Sequence, residues 1–213
     1  MKNTLLVILF LLSLTSFATA QTALINQADS VADNTLQEGK IIAYYNEDWQ
    51  QVPANGKVSY YRKLISTDGN KGYWIQDFYA DTHTKQMDSV LVANKASILQ
   101  GHIIPNEGKV VVWFKDGLKK EQSEYKNGQI QSIIKWHRNG QRGLEGYYQQ
   151  GERNGVWTGW YQNGNKHWQG SFERGKRQGL WTLWSIKGNK EREMQFQQGE
   201  KIAQWSSFDE DNK

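Results

Sequence analysis

One interval governs what this chain can fold into. Trp113, Trp136, Trp160 and Trp184 follow one another at steps of 23, 24 and 24 residues. The same steps connect Tyr125, Tyr148, Phe172 and Phe196, and the glycines Gly117, Gly140, Gly164 and Gly188. A second glycine set, Gly128, Gly151, Gly175 and Gly199, keeps the same spacing. Four positions in one register mark an internal repeat. A repeat of this length is one supersecondary unit that stacks on its neighbours.

Each unit reads as a β-hairpin. Val156-Trp157-Thr158-Gly159-Trp160-Tyr161 is a strand, Asn163-Gly164-Asn165 a turn, and Lys166 to Glu173 the returning strand. Asn-Gly tolerates positive φ at both central turn positions, which suits paired, twisted strands. Asp116-Gly117, Asn139-Gly140 and Lys187-Gly188 hold the equivalent places, and Gly175 to Gly179 leads into the next unit. Hairpins in series pair as a meander, because a lone hairpin is marginal in water. The expected fold is therefore all-β, an elongated antiparallel meander of repeated hairpins forming a single sheet, with the repeats over 110–205 and 41–109 extending the same sheet. The ten Trp, ten Tyr, seven Phe and 20 Gly fit this reading, since aromatics favour strands and glycine the turns.

Gly-x-Trp-x-x-Trp-Tyr-x-Asn-Gly-x-Lys, continued by Gly-x-Phe-x-x-Gly-Lys, runs from Gly155 to Lys176. This pattern resembles the MORN-repeat variant of bacterial exported proteins, a family often labelled as a YwqK-like toxin–antitoxin component. The resemblance covers about 110–205, with three good units and a weaker first one at Trp113. It implies a MORN-like β-hairpin array with a role in binding proteins or the envelope, and brings no catalytic residues.

Alternation along a strand sends Trp157 and Trp160 to opposite faces. Trp136, Trp157, Trp160, Tyr161, Trp181 and Trp184 are therefore the candidate binding residues. Gly140, Gly151, Gly164, Gly175, Gly188, Gly199, Tyr148, Phe172 and Phe196 are the structural positions of the repeat. Gly146 and Gly170 fall mid-strand, where a neighbouring ring can cover bare backbone. These aromatics serve either as the buried apolar area of a thin sheet or as a ladder that stacks on a ligand.

The chain begins Met1-Lys2-Asn3, runs apolar from Leu5 to Leu14 and closes that stretch with Ala18-Thr19-Ala20. A positive start, a short apolar run and a small-x-small end read as a secretory signal peptide over 1–20, cleaved after Ala20. The run is shorter than the roughly 20 residues that span a bilayer, and stable membrane insertion is not expected. The expected address is periplasmic or extracellular, in soluble form. Residues 21–40 read as a flexible lead, 41–109 as a degenerate β-repeat region, and 206–213 as a polar, acidic tail. Within 41–109, a hairpin with the turn Asp81-Thr82-His83 is expected over 77–87, and 88–104 departs from the period. Tyr60-Tyr61-Arg62-Lys63 and Gly72 to Tyr79 resemble a segment that precedes such repeats in bacterial envelope proteins.

Chemistry is sparse. With no cysteine there is no thiol catalysis, disulfide or thiolate metal site. His83, His102, His137 and His167 show no zinc-ligand spacing. Glu121, Glu124, Glu145, Glu173 and Glu193 fall at or near comparable repeat positions and read as solvent-facing. Asp77, among aromatics, is the best single carboxylate candidate for more than that. No nucleophile elbow or phosphate loop occurs, so neither catalysis nor a cofactor or metal is expected. The net charge falls from +4 to +3 with the loss of Lys2, and apart from the acidic Asp209-Glu210-Asp211 no run of like charge stands out. That argues against nucleic acid, which needs a clustered basic stripe. The expected function is a non-catalytic protein-interaction scaffold with an envelope protein as partner. The alternative is a glycan- or cell-wall-binding module using aromatic stacking. Exposed sheet edges also make self-association an expectation.

Overall fold

The structure, a computed structural model, describes residues 36–206. The stretch expected to be a signal peptide, most of the expected lead and the tail from 207 onward lie outside these residues. The described chain is all-β, with fourteen strands in two antiparallel sheets. Strands β1 (Ile41–Tyr45), β2 (Gln51–Val52), β3 (Tyr60–Thr67), β4 (Tyr73–Tyr79) and β5 (Val90–Val92) form the first, in the order β2-β1-β3-β4-β5. The second sheet has nine strands in sequence order: β6 (Gly108–Trp113), β7 (Lys119–Lys126), β8 (Gln129–Trp136), β9 (Arg142–Gln149), β10 (Glu152–Trp160), β11 (Lys166–Glu173), β12 (Lys176–Trp184), β13 (Lys190–Gln197) and β14 (Glu200–Ser206). It is the expected meander of hairpins.

The expectation that 41–109 extends the same sheet needs correcting, because the ladder is interrupted between β4 and β6. The Lys85–Asp88 segment bridges the gap with isolated pairings, Phe78 to Lys85 on one side and Met87 to Val112 on the other. Asp88 N–H donates to Val111 O and Trp113 N–H to Gln86 O. One apolar cluster spans the junction: Leu64, Ile75, Val90 and Val92 from the first sheet, Met87 and Ile98 from the segments on either side of β5, and Val110 from β6. The hairpin with the turn at Asp81-Thr82-His83 is present, closed by His83 N–H donating to Tyr79 O.

Turn chemistry differs from the sequence reading in which edge carries which turn. Two-residue turns with positive φ at both positions occur at Asn127-Gly128, Gln150-Gly151, Arg174-Gly175 and Gln198-Gly199. These are the tight hairpin turns whose twist matches that of the strands. At the opposite edge, Asn139 and Asn163 are not in the left-handed region, and only the following Gly140 (φ 83°) and Gly164 (φ 87°) are. Gly164 N–H donates to Tyr161 O and Tyr161 N–H to Asn165 O, which makes a type I turn closed by a glycine bulge. Asn163 holds its turn through Oδ1, which accepts from Asn165 N–H at 3.1 Å.

The change of step from 23 to 24 has a structural cause. Between β7 and β8 the bulge sets two residues against one: Tyr125 pairs with Ile130 and Glu124 with Ser132. In β10 four residues span two of β9, from Asn154 opposite Tyr147 to Thr158 opposite Glu145. β12 repeats this against β11, from Gln178 opposite Ser171 to Thr182 opposite Gln169. The added residue is a glycine with positive φ, Gly155 (72°) in β10 and Gly179 (70°) in β12. The widened bulge carries the next residue, Trp157 or Trp181, across a glycine of the preceding strand. A Cβ on Gly146 would fall 2.1 Å from Trp157 Cδ2, and one on Gly170 the same distance from Trp181 Cδ2. Only glycine fits beneath either indole.

Candidate interaction faces and the arginines that border them

The six aromatic candidates do not form one surface. Trp157 and Trp181 are core residues, only 1% and 7% exposed. They belong to an edge-to-face chain of rings, Tyr148–Trp157–Phe172–Trp181–Phe196, with centroids 5.0–6.0 Å apart. Each indole N–H is satisfied by a carbonyl, Trp157 by Tyr147 O and Trp181 by Ser171 O. Trp136, Trp160 and Trp184 are half-buried at the Asn-Gly edge. Tyr161 is structural there: its hydroxyl donates to Trp184 O at 2.9 Å. His137 Nε2 meets Trp160 O at 2.8 Å in the preceding unit, and Tyr79 Oη meets Trp113 O at 2.8 Å at the junction. Asn163 Nδ2 donates to Ile186 O. One repeat thus hydrogen-bonds to the next along this edge, and a ligand is not needed to explain these polar side chains.

Asp77 is likewise structural. Its carboxylate receives Arg62 Nε and Nη2 at 2.7 and 2.8 Å, and both residues are buried. The remaining Arg62 donors reach Tyr45 Oη (3.0 Å), Ile98 O (2.8 Å), Gln100 O (2.6 Å) and Gly101 O (3.2 Å). Burial works against the Arg62 charge, but Asp77 outweighs it and the guanidinium titrates above its ordinary value. Burial also pushes the Tyr45 phenol up to about 12, against the nearby Arg62 charge. This cluster pins the connection 98–101 onto the first sheet.

The carboxylates singled out by the repeat are occupied locally or exposed. Glu121 pairs with Lys135 (2.9 Å), Glu124 with Lys109 (3.6 Å), Glu145 with Arg142 and Glu193 with Lys190 (2.8 Å). Glu173 is exposed. Among the described residues no three His, Asp or Glu side chains gather as a metal site. His83 and His102 lie beside the rings of Tyr61 and Trp49, and His167 lies against Tyr161.

Sequence reading missed Arg153 and Arg177. Directly opposite Tyr148 and Phe172, they share the face of the ring chain. The Arg153 guanidinium lies 4.7 Å from the Trp157 ring and 5.3 Å from Phe172. That of Arg177 lies 4.0 Å from Phe196 and 5.8 Å from Trp181. Both flank an open groove of about 490 Å³ whose floor includes Trp168, Phe172 and Trp181, with Lys176 at its rim. The 24-residue step from Arg153 to Arg177 was available as a signal. It did not stand out because the preceding unit has Ile130 there.

Apolar side chains are also exposed on the array. Val156 and Leu180, the bulge residues of β10 and β12, are each 50% exposed, one repeat apart. Tyr147, Ile202 and Trp205 are exposed as well. No helix among the described residues is long and apolar enough to cross a membrane. Neither protein-family models nor curated proteins yield a match to this chain.

Proposed function

We propose that the chain is an exported, non-catalytic MORN-like repeat protein acting as a protein-interaction scaffold in the cell envelope. The observation that carries this reading is the exposure of Val156 and Leu180, at the same place in successive units and half open to solvent. An open repeat array presents such positions as an extended surface for one partner. Export rests on the leader pattern in residues 1–20, and the partner is an envelope protein. Glycan recognition by stacking on Trp157 and Trp181 is the weaker reading, because both indoles are spent covering Gly146 and Gly170.

The test is a crosslinking pull-down of the tagged, exported chain from its own envelope fraction, beside a Val156→Ser/Leu180→Ser variant and an insoluble-glycan sedimentation arm. One dominant protein captured by the parent chain and lost with the variant supports the scaffold. Capture that is indifferent to the variant, or sedimentation with glycan alone, overturns it.

A further inference from the structure

Two uses of the guanidinium group contrast in this protein. Arg62 is buried, and its donors go to a carboxylate, a phenol and three carbonyls. Arg153 and Arg177 are exposed, and among the described residues neither side chain makes an ion pair or a hydrogen bond. Their guanidinium groups lie over aromatic rings, which limits rotamer freedom and leaves the N–H donors without a protein acceptor among the described residues. A third cation continues the series. Lys201 stands one 24-residue step beyond Arg177, directly opposite Phe196, and so on the same face. Among the described residues its ammonium reaches only Gln204 Oε1, at 2.7 Å.

Arg153, Arg177 and Lys201 open alternate strands β10, β12 and β14, so neighbours in this row stand about 10 Å apart, two strand spacings. The acidic side chains nearest in register, Glu152, Glu173 and Glu200, pair opposite Gln149, Lys176 and Gln197 and point to the other face. The linear sequence scatters its positive charge, but folding collects these three on one face without a carboxylate among them. Phe172 on β11 lies level with the two arginines, and Trp168 lines the same groove farther along that strand, stacked on Trp181.

We infer that this row binds an acidic glycan, a linear polysaccharide carrying one anionic group per disaccharide. Arg guanidinium recognises carboxylate, sulfate or phosphate through paired N–H donors. The spacing of about 10 Å is of the size of a disaccharide unit, and places successive acid groups on Arg153 and Arg177. Charge decides the ligand here, and the buried indoles of Trp157 and Trp181 are not needed as platforms. The inference goes beyond the protein scaffold, whose exposed positions are Val156 and Leu180.

Titration calorimetry on the full-length exported chain tests it, with hyaluronan oligosaccharides as the probe carrying one carboxylate per disaccharide. A sulfated galactosaminoglycan, the carboxyl-reduced hyaluronan oligosaccharide and poly-L-glutamate complete the set. The expected result is binding to both acidic glycans, weakening with salt, and none to the carboxyl-reduced form. Binding of the sulfated glycan alone shows that the row needs the sulfate, and binding of hyaluronan alone shows that the added sulfate does not fit; either still supports the site. Arg153→Gln/Arg177→Gln lowers affinity by at least about tenfold, while Arg153→Lys/Arg177→Lys keeps the charge and recovers part of it. Lys201→Gln, which uncovers no ring, weakens binding by about threefold and guards against a misfolded double variant. Absence of binding to every acidic glycan, equal binding of the carboxyl-reduced probe, or indifference to Lys201→Gln together with the double variant overturns the inference. Poly-L-glutamate binding as tightly as the glycans also overturns it and assigns the row to an acidic peptide. Loss of this binding leaves the Val156 and Leu180 pull-down unaffected, so the two readings fail separately.

Discussion

In the first sheet, one side chain gathers partners from far apart in the chain. Arg62 on β3 joins Tyr45 on β1, Asp77 on β4 and the carbonyls of Ile98, Gln100 and Gly101. In the second sheet, each side-chain contact that links units reaches about one repeat: His137 to Trp160, Tyr161 to Trp184, Asn163 to Ile186. The polar contacts of the first sheet therefore converge on one non-local centre. The array spreads its stability over similar nearest-neighbour steps, as solenoids do. A break at the centre should cost the first sheet as a whole, whereas a break in the array should stay local.

Asp77→Ala carries the largest expected effect. It strands a buried guanidinium, which costs about 3–5 kcal/mol. Denaturant unfolding followed by hydrogen exchange should show early opening of β1, β3 and β4, with β9–β13 still protected. Uniform loss of protection across both sheets would show that the two regions unfold together and that the contrast is false.

Raising the pH probes the same centre without mutation. The Tyr45 phenol titrates at about 12 in the folded chain, against an ordinary value of 10.0. The folded state thus holds the proton more tightly than the unfolded one. This contribution is complete below pH 10 and is lost as the pH rises through 12, an effect of about 2–3 kcal/mol. The expected result is a fall in stability over that window that Tyr45→Phe reduces without abolishing, because burial also raises the phenols of Tyr61, Tyr79 and Tyr125.

Gly170→Ala tests the array. The new methyl meets the Trp181 ring, which must shift, at a cost of about 1–3 kcal/mol. Loss of protection limited to β11–β13 is the expected outcome, and spread into β6–β8 would contradict nearest-neighbour behaviour.

How much of this was legible in the sequence follows the same division. The repeat register, the strand class and the ring positions follow from local spacing and could be read directly. The turn type could not: Asn163-Gly164 carries the expected residues, yet the tight turns fell to Gln150-Gly151 and Arg174-Gly175. Turn geometry there is set by the number of residues between paired strands, which only the register reveals. Asp77 stood out as a carboxylate among aromatics, but its partner sits 15 residues away and the carbonyls that complete the cluster lie beyond Ile98. No local pattern encodes such a meeting. Arg153 and Arg177 were hidden because charge was read along the chain, while folding sorts it by face.

The last strand shows what happens when the repeat keeps its spacing and loses its glycines. Trp205 stands 24 residues after Trp181, yet it is 52% exposed. Two glycine positions have changed in its unit. Ala203 replaces the bulge glycine of β10 and β12, and Met194 stands where Gly146 and Gly170 leave room for an indole. Without a left-handed residue, β14 makes only the two-against-one bulge, with Phe196 opposite Lys201 and Gln195 opposite Ala203. The register is one residue short, and Trp205 falls opposite Glu193, while Gln204 takes the place opposite Met194. Alternation then sends the indole to the face away from the ring chain. Restoring both positions with Met194→Gly/Ala203→Gly should turn Trp205 onto Phe196 and shift its fluorescence to the blue. Either substitution alone should leave the indole in water, since one lacks the bulge and the other the space beneath it. The net stability change is small, because two new glycines cost about 1 kcal/mol each in strand entropy while ring burial returns about 1.5–3 kcal/mol. A blue shift from Ala203→Gly alone would mean that Met194 yields to the indole, and that the bulge by itself decides which face a repeat tryptophan takes.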